Sequence, residues 1–157
     1  MTPSPVRPAQ LADVPAIAAL WIRLLESHAA LDPVFALRAG APAALEVELR
    51  RVFDDADTAL LVADADGCVV GFCAAHFERS PALARESCRA EITELVVEPA
   101  ARQSGIGRAL ANAALGWARS RGALRVEVRV AARNDAGQAF WRRLGFGAFV
   151  DVLDRRL

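Results

Sequence analysis

The 157-residue chain has no tyrosine, one methionine, two histidines and three cysteines. Without tyrosine it has no phenol to serve as a proton donor. Cys68, Cys73 and Cys88 are odd in number and stand at no metal-ligand spacing. With only His28 and His76 beside them, they argue against a zinc site and read as the reduced thiols of a cytoplasmic protein. Neither sign of charge is in excess, since Lys plus Arg and Asp plus Glu are 19 each. Charge therefore gives no footing for nucleic acid or an anionic membrane as a partner. No apolar run is long enough to span a bilayer. The first ten residues hold three prolines and no apolar core, unlike a signal peptide. Repeats, low-complexity tracts and an interdomain linker are also missing. What is present is apolar material: 54% of residues are hydrophobic. That suffices for one buried core, in a single domain over residues 1–157.

Hydrophobic spacing divides the chain into elements. Residues 6–8 read as a short strand. Over residues 13 to 28, Val14, Ile17, Leu20 or Trp21, Leu24 and Leu25 share one helical stripe. Asp13 followed by Pro15 suits the start of that helix. A second helix is predicted over 43–54, with Leu45, Leu49, Val52 and Phe53 inward. The period then shifts to two. Residues 58–63 and 68–77 read as strands joined by a turn at Asp66-Gly67. Residues 89–98 form a third strand, ended by Pro99. A helix over 105–121 closes at Gly122, and one over 134–144 closes at Gly145, both glycines placed as C-terminal caps. Between these helices 124–131 alternates as a strand, and 146–153 gives a last strand. This order predicts an α/β (α+β layered) domain on a mixed sheet.

One junction carries chemistry. Leu95, Val96 and Val97 run through Glu98 and Pro99 into Arg102, Gln103, Ser104, Gly105, Ile106, Gly107 and Arg108, where a helix opens. A helix start leaves backbone N–H groups free and aligned, and the helix dipole adds partial positive charge there. The R-x-x-G-x-G spacing thus suits an anion, usually a phosphate. It is not the dinucleotide fingerprint, because the third position after Gly107 is Leu110 and the motif falls late in the chain. Nor is it a Walker loop, since no Gly-Lys-Ser or Gly-Lys-Thr follows. Taken alone, it also reads as an ordinary strand–loop–helix joint.

A second motif changes the balance. Asn134-x-x-x-x-Ala139-Phe140-Trp141-x-x-x-Gly145-Phe146 lies on the last helix. With Val97-x-Pro99-x-x-Arg102-x-x-Gly105-Ile106-Gly107, it resembles the GNAT superfamily of acetyl-CoA-dependent N-acyltransferases, most specifically over residues 91–146. The resemblance implies a mixed, mostly antiparallel central sheet with helices on both faces and a splayed strand pair holding coenzyme A. The pyrophosphate would rest on the N–H groups of Gln103 to Arg108, with Gly105 and Gly107 permitting close approach. Arg102 and Arg108 would add charge-assisted contacts, including to the 3′-phosphate. Pantetheine would lie along Leu95, Val96 and Val97, with the Leu95 N–H meeting the thioester oxygen. Asn134 matches an asparagine that contacts the pantetheine arm; by residue type alone it is a helix N-cap. Many members carry a tyrosine where this chain has Trp141, whose indole is no practical acid. Trp141 is expected to pack against pantetheine or the core. Thiolate departure is tolerable without an acid, the thiol pKa being ~8.5 by analogy with cysteine.

An amine attacks a thioester only when neutral, yet alkyl amines have a pKa of ~10, so a nearby carboxylate is wanted as base. Strict strand alternation puts Glu91, Thr93, Leu95 and Val97 on one face and Glu94 on the other, unless a bulge intervenes. Glu91 is therefore the first candidate base and Glu94 the second. Either also reads as a solvated strand-edge charge or a contact for a cationic substrate. By the same resemblance the first two helices wall the acceptor site, and they offer His28 and Asp32, spaced i,i+4 before Pro33. The expected reaction moves an acetyl group from acetyl-CoA to the primary amine of a small molecule or peptide, by direct attack in a ternary complex and without metal. The resemblance leaves a homodimer open. The alternative from another class is a non-catalytic acyl-CoA-binding or sensing module.

Overall fold

In the computed structural model, which describes residues 6–81, 83 and 85–155, five strands form one sheet in chain order. They are β1 (Val6–Pro8), β2 (Thr58–Ala65), β3 (Cys68–Arg79), β4 (Cys88–Val97) and β5 (Arg125–Val128). The first four are antiparallel neighbours, and β5 runs parallel to β4. An antiparallel pair needs only a tight turn. Asp66 and Gly67 supply it between β2 and β3, both with positive φ (52° and 82°), as the predicted Asp-Gly turn requires. The parallel pair needs a crossover, which is α3 (Ile106–Ser120).

Alternation along the strands builds two cores. On one face α1 (Val14–Ala29) and α2 (Ala41–Val52) set Val14, Ile17, Leu20 and Leu49 against Leu60, Val62, Phe72 and Val96. On the other, α3 and α4 (Asp135–Arg143) set Ile106, Leu110, Ala114 and Trp141 against Ala63, Cys73, Ala75 and Ile92. Gly122 and Gly145 follow the last turns of α3 and α4 with φ of 84° and 91°, where a side chain would be strained. Arg7 donates to Asp13 at 2.7 and 3.0 Å and to Asp64 at 3.1 Å, tying β1 to the start of α1 and to the β2–β3 hairpin. Among the described residues no helix is long and apolar enough to cross a membrane.

Three expectations differ. The sheet register shifts within β4: Ala74 pairs with Glu94 but Ala75 with Ile92, which leaves Thr93 as an extra residue, a β-bulge. β5 stops at Val128 rather than reaching 131. Residues 146–153 form no strand, and Phe149, Val150, Val152 and Leu153 are 64%, 70%, 75% and 92% exposed. Alternation gives a segment two faces but not a partner, and a strand exists only through its pairing.

Candidate active site

The bulge decides which side chains meet. Below it, Ile92 packs into the α3 side of the sheet, so Glu91 points to the α1 side. Above it, Leu95 and Val97 pack toward α3 and Val96 toward α1. Glu94, paired with Ala74 of the α1-side core, points with Val96. The expected faces are therefore corrected. Glu91 and Glu94 share the α1 face, and Leu95 lies opposite, because one inserted residue reverses the parity of everything beyond it. The Thr93 hydroxyl donates to the Ala74 carbonyl at 3.5 Å across the bulge.

The two carboxylates have different surroundings. Glu91 Oε1 lies 3.2 Å from Arg129 Nε. Glu94 is raised to about 7, first by burial; a hydrogen bond with Thr93 opposes this, and the charge of Glu91 adds to it. Beside Glu91 on the same face runs a ladder of ion pairs: Arg89 with Glu78 and with Glu127 at 2.6 Å, and Arg125 with Glu127 at 2.8 Å and Glu86 at 2.7 Å.

The same strand has an open edge. Pairing of β4 with β5 ends at Ile92 and Val128, so from Glu94 to Val97 β4 is bonded to β3 alone. The Glu98 N–H donates to the Val70 carbonyl of β3 at 2.8 Å. Alternation then turns the backbone groups of Val97 and Leu95 to the open side. There the Val97 carbonyl accepts from Arg102 Nε at 3.1 Å.

Beyond β4, residues Pro99–Ala101 make a 3-10 turn and the chain passes through Gln103 (φ 63°) and Gly105 (φ 88°) into α3. The backbone N–H groups of Gln103 to Arg108 have no acceptor among the described residues. They form a cradle of donors at a helix N-terminus, which fits a phosphate. Arg102, Gln103, Ser104 and Arg108 are exposed around it, and the Ser104 hydroxyl donates to the Ala101 carbonyl at 2.6 Å. Ile106 offers the cradle only its backbone, its side chain being in the core. The two glycines have separate reasons. A Cβ on Gly105 would meet nothing within 4 Å, and its positive φ is what favours glycine. A Cβ on Gly107 would lie 3.3 Å from the Phe140 ring, so this glycine serves the packing of α3 on α4 rather than the approach of a ligand.

The remaining predicted residues frame this edge or support it. Leu20, Arg23 and Leu24 of α1 face Val96, Glu98 and Arg102 across a cleft of about 170 Å³, with Arg23 ion-paired to Glu98. The His28 ring lies 5.3 Å from that of Phe35, and burial lowers its pKa. The Asp32 carboxylate accepts from the Val34 N–H at 2.9 Å, capping the turn after α1. Arg133 donates to the Leu31 carbonyl at 3.2 Å, which fastens that turn beside Asn134. Asn134 Oδ1 accepts from the Gly137 N–H at 2.9 Å, the N-cap of α4. Trp141 is in the core, its ring edge-on to Phe140 at 5.0 Å and to Phe146 at 5.1 Å. Sequence reading missed Thr93, Arg129 and Arg133. Only the first had a trace: the apolar side chains facing α3 are Ala90 and Ile92, then Leu95 and Val97, and the interval from 92 to 95 breaks the period of two.

Residues 21–146 match the Acetyltransferase (GNAT) family. An uncharacterized N-acetyltransferase of Methanocaldococcus jannaschii is 38% identical over 85 residues, 54% of this chain and 37% of that protein. The match thus spans little more than a third of that relative's length. A tetramutant protein from Bacillus halodurans has a TM-score of 0.87 at 20% identity, covering 98% of this chain and 99% of that one. Aminoglycoside N-acetyltransferase AAC(6')-Iy, in complex with the bisubstrate analog CoA-S-monomethyl-acetylneamine, has a TM-score of 0.80 at 19% identity, covering 98% and 97%. These two likenesses are of fold. The family match covers well over half of the chain, and on it the chain belongs to the GNAT acetyltransferase family.

Proposed function

We propose that the chain acetylates a primary amine of a small molecule or peptide, by direct attack in a ternary complex with acetyl-CoA, and that Glu94 is the base. The observation that carries this reading is the bulge at Thr93, which sets a half-buried carboxyl beside an open backbone edge. Coenzyme A supplies the acetyl group as an activated thioester. The N–H groups of Gln103 to Arg108 hold its phosphates, helped by Arg102 and Arg108. Leu95 offers its N–H to the acetyl carbonyl oxygen, where one such donor is worth ~3–4 kcal/mol of barrier. Asn134 stands at the pantetheine arm as well as capping α4.

A carboxyl near 7 is half ionised at neutral pH, which suits it to take a proton from an ammonium on its way to attack. Glu91 is engaged by Arg129, and that pairing favours Glu94 over it as base. Glu91, paired with Arg129, then borders the acceptor on the same face. His28 and Asp32 border the acceptor entrance through the turn that Arg133 fastens. Burial pushes the Cys73 thiol up to about 12, which supports direct attack over an acyl-cysteine at this strand. Trp141 offers no acid, so the leaving thiolate takes its proton from solvent.

The test is thiol release from acetyl-CoA over a panel of amines. Wild-type kcat/KM is expected to rise with pH through a limb near 7. Glu94→Gln is expected to lack that limb and to lose ~10²–10⁴-fold in kcat, with acetyl-CoA binding retained. If Glu91→Gln removes the limb and Glu94→Gln does not, the base is Glu91. Acetyl-CoA binding with no turnover on any amine would instead support an acyl-CoA-binding module.

A further inference from the structure

Three arginines stand on the α1 face of β4, β5 and the residue that follows β5, and they are not alike. Arg89 pairs with Glu78 and Glu127, and Arg125 with Glu127 and Glu86. Each of these has two carboxylates, and their side chains are 24% and 37% exposed. Among the described residues Arg129 has one, Glu91, with 3.2 Å between Nε and Oε1, and its side chain is 74% exposed. A guanidinium holds five N–H donors in a planar fork, and one carboxylate oxygen does not occupy them.

The fold fixes where this fork stands. Val128 and Val130 pack into the α3-side core, so Arg129 between them turns to the α1 face, where it meets Glu91. Val128 is the last residue of β5 paired with β4, through Ile92. Arg129 therefore stands at the mouth of the gap in which β4 is bonded to β3 alone, and Glu94 lies on the same face of β4 just beyond the bulge. Farther along this segment Arg133 donates to the Leu31 carbonyl at 3.2 Å and is in no ion pair among the described residues. The acceptor side of the site thus sets a carboxyl next to a guanidinium short of partners. That pattern complements a molecule bearing both charges. A purely cationic acceptor would leave the fork of Arg129 unmatched and meet its repulsion.

We propose that the acceptor is a free amino acid, whose carboxylate binds the Arg129 guanidinium while its amine meets Glu94 and the acetyl thioester. This rests on the acetyl-transfer reading above and narrows it to one substrate class. Arg129 takes the carboxylate through parallel N–H···O bonds, with Glu91 steadying the guanidinium from the side of Nε. Its role is specificity, since no proton or bond of the reaction passes through it. The N–C bond forms as the C–S bond breaks; one ammonium proton has gone to Glu94, and the proton shed by the new amide balances the one the thiolate takes from solvent. A peptide fits less well, because an amide stands where the amino acid has its carboxylate.

Thiol release from acetyl-CoA tests it, with the α-amino acids, β-alanine and γ-aminobutyrate each set against its own carboxamide and decarboxylated amine. Values of kcat/KM are compared per neutral amine. The wild type is expected to favour the acid by roughly 10–100-fold over both analogues, the range of a hydrogen bond to a charged group. Arg129→Gln is expected to bring that ratio near one, chiefly through KM. Arg129→Lys is expected to recover only part of it, because an ammonium lacks the fork. If Arg129 serves only to cover Glu91, Arg129→Gln slows all three acceptors together and the ratio stands, which overturns the proposal. A wild type that uses the amines or carboxamides as well as the acids also overturns it, with the acetyl-transfer reading intact. No turnover on any acceptor overturns both.

Discussion

At Glu94 a single inserted residue changes the chemistry of a strand. The bulge turns its carboxyl into the α1 side, and burial there raises it to about 7 from an ordinary 4.5. Between those two values the folded chain holds a proton that the unfolded chain has released. Stability from this group is thus fully present below pH 4.5, falls as pH rises, and is lost above about 7. Over the whole span the change is ~3 kcal/mol. Glu94→Gln removes the dependence, so its Tm should gain on that of the wild type as pH goes from 4 to 8, read by thermal unfolding in matched buffers. A Tm difference that does not move with pH would show a carboxyl of ordinary pKa. Both carboxylates were legible as candidates from their place before the loop. Their shared face was not, because alternation alone assigns faces correctly only where no residue is inserted.

At the scale of elements, β4, its loop and α3 act as one device. The strand parts from β5 after Ile92 and runs on to Val97 before the loop presents its donors from Gln103; the end of the strand and the cap of the helix follow from local sequence, since Pro99 stops the strand and Gly105 allows the left-handed cap. The loop, the Asp66-Gly67 hairpin and the caps at Gly122 and Gly145 were legible for the same reason, each being settled by the φ its own residues accept. Gly107 was read as room for a ligand, whereas its neighbour is Phe140, thirty-odd residues away in sequence and supplied only by packing. Asn134 has a role from each source, and the two separate by mutation. Asn134→Ala should lose ~1 kcal/mol of stability with the α4 cap. Asn134→Asp should restore the cap, yet leave KM for acetyl-CoA raised if the amide also meets pantetheine; stability by denaturant titration and KM by initial rates read the two effects apart.

Across the whole molecule, the two cores lie on opposite faces of one sheet, and the candidate site occupies the gap where β4 and β5 part. A ligand filling that gap binds the folded state alone. Acetyl-CoA at 100 times its Kd should therefore stabilise the chain by about 2.7 kcal/mol, seen as an upward shift in Tm, and desulfo or truncated analogues without the phosphates should shift it less. All nineteen basic residues are arginines, so the chain presents no lysine amine of its own to a bound thioester. The sequence by itself determined the layered α/β class, the order of elements as far as α4 and the phosphate-type loop, because periodicity, turn chemistry and helix caps are local properties. It also determined that Trp141 could not replace a phenolic acid, since that is a matter of residue type. Only the tertiary structure decided that Glu91 and Glu94 share a face, that Trp141 belongs to the core, and that residues 149–153 form no strand. Those facts depend on the register between strands and on which surfaces meet, and neither is written in the spacing of one segment.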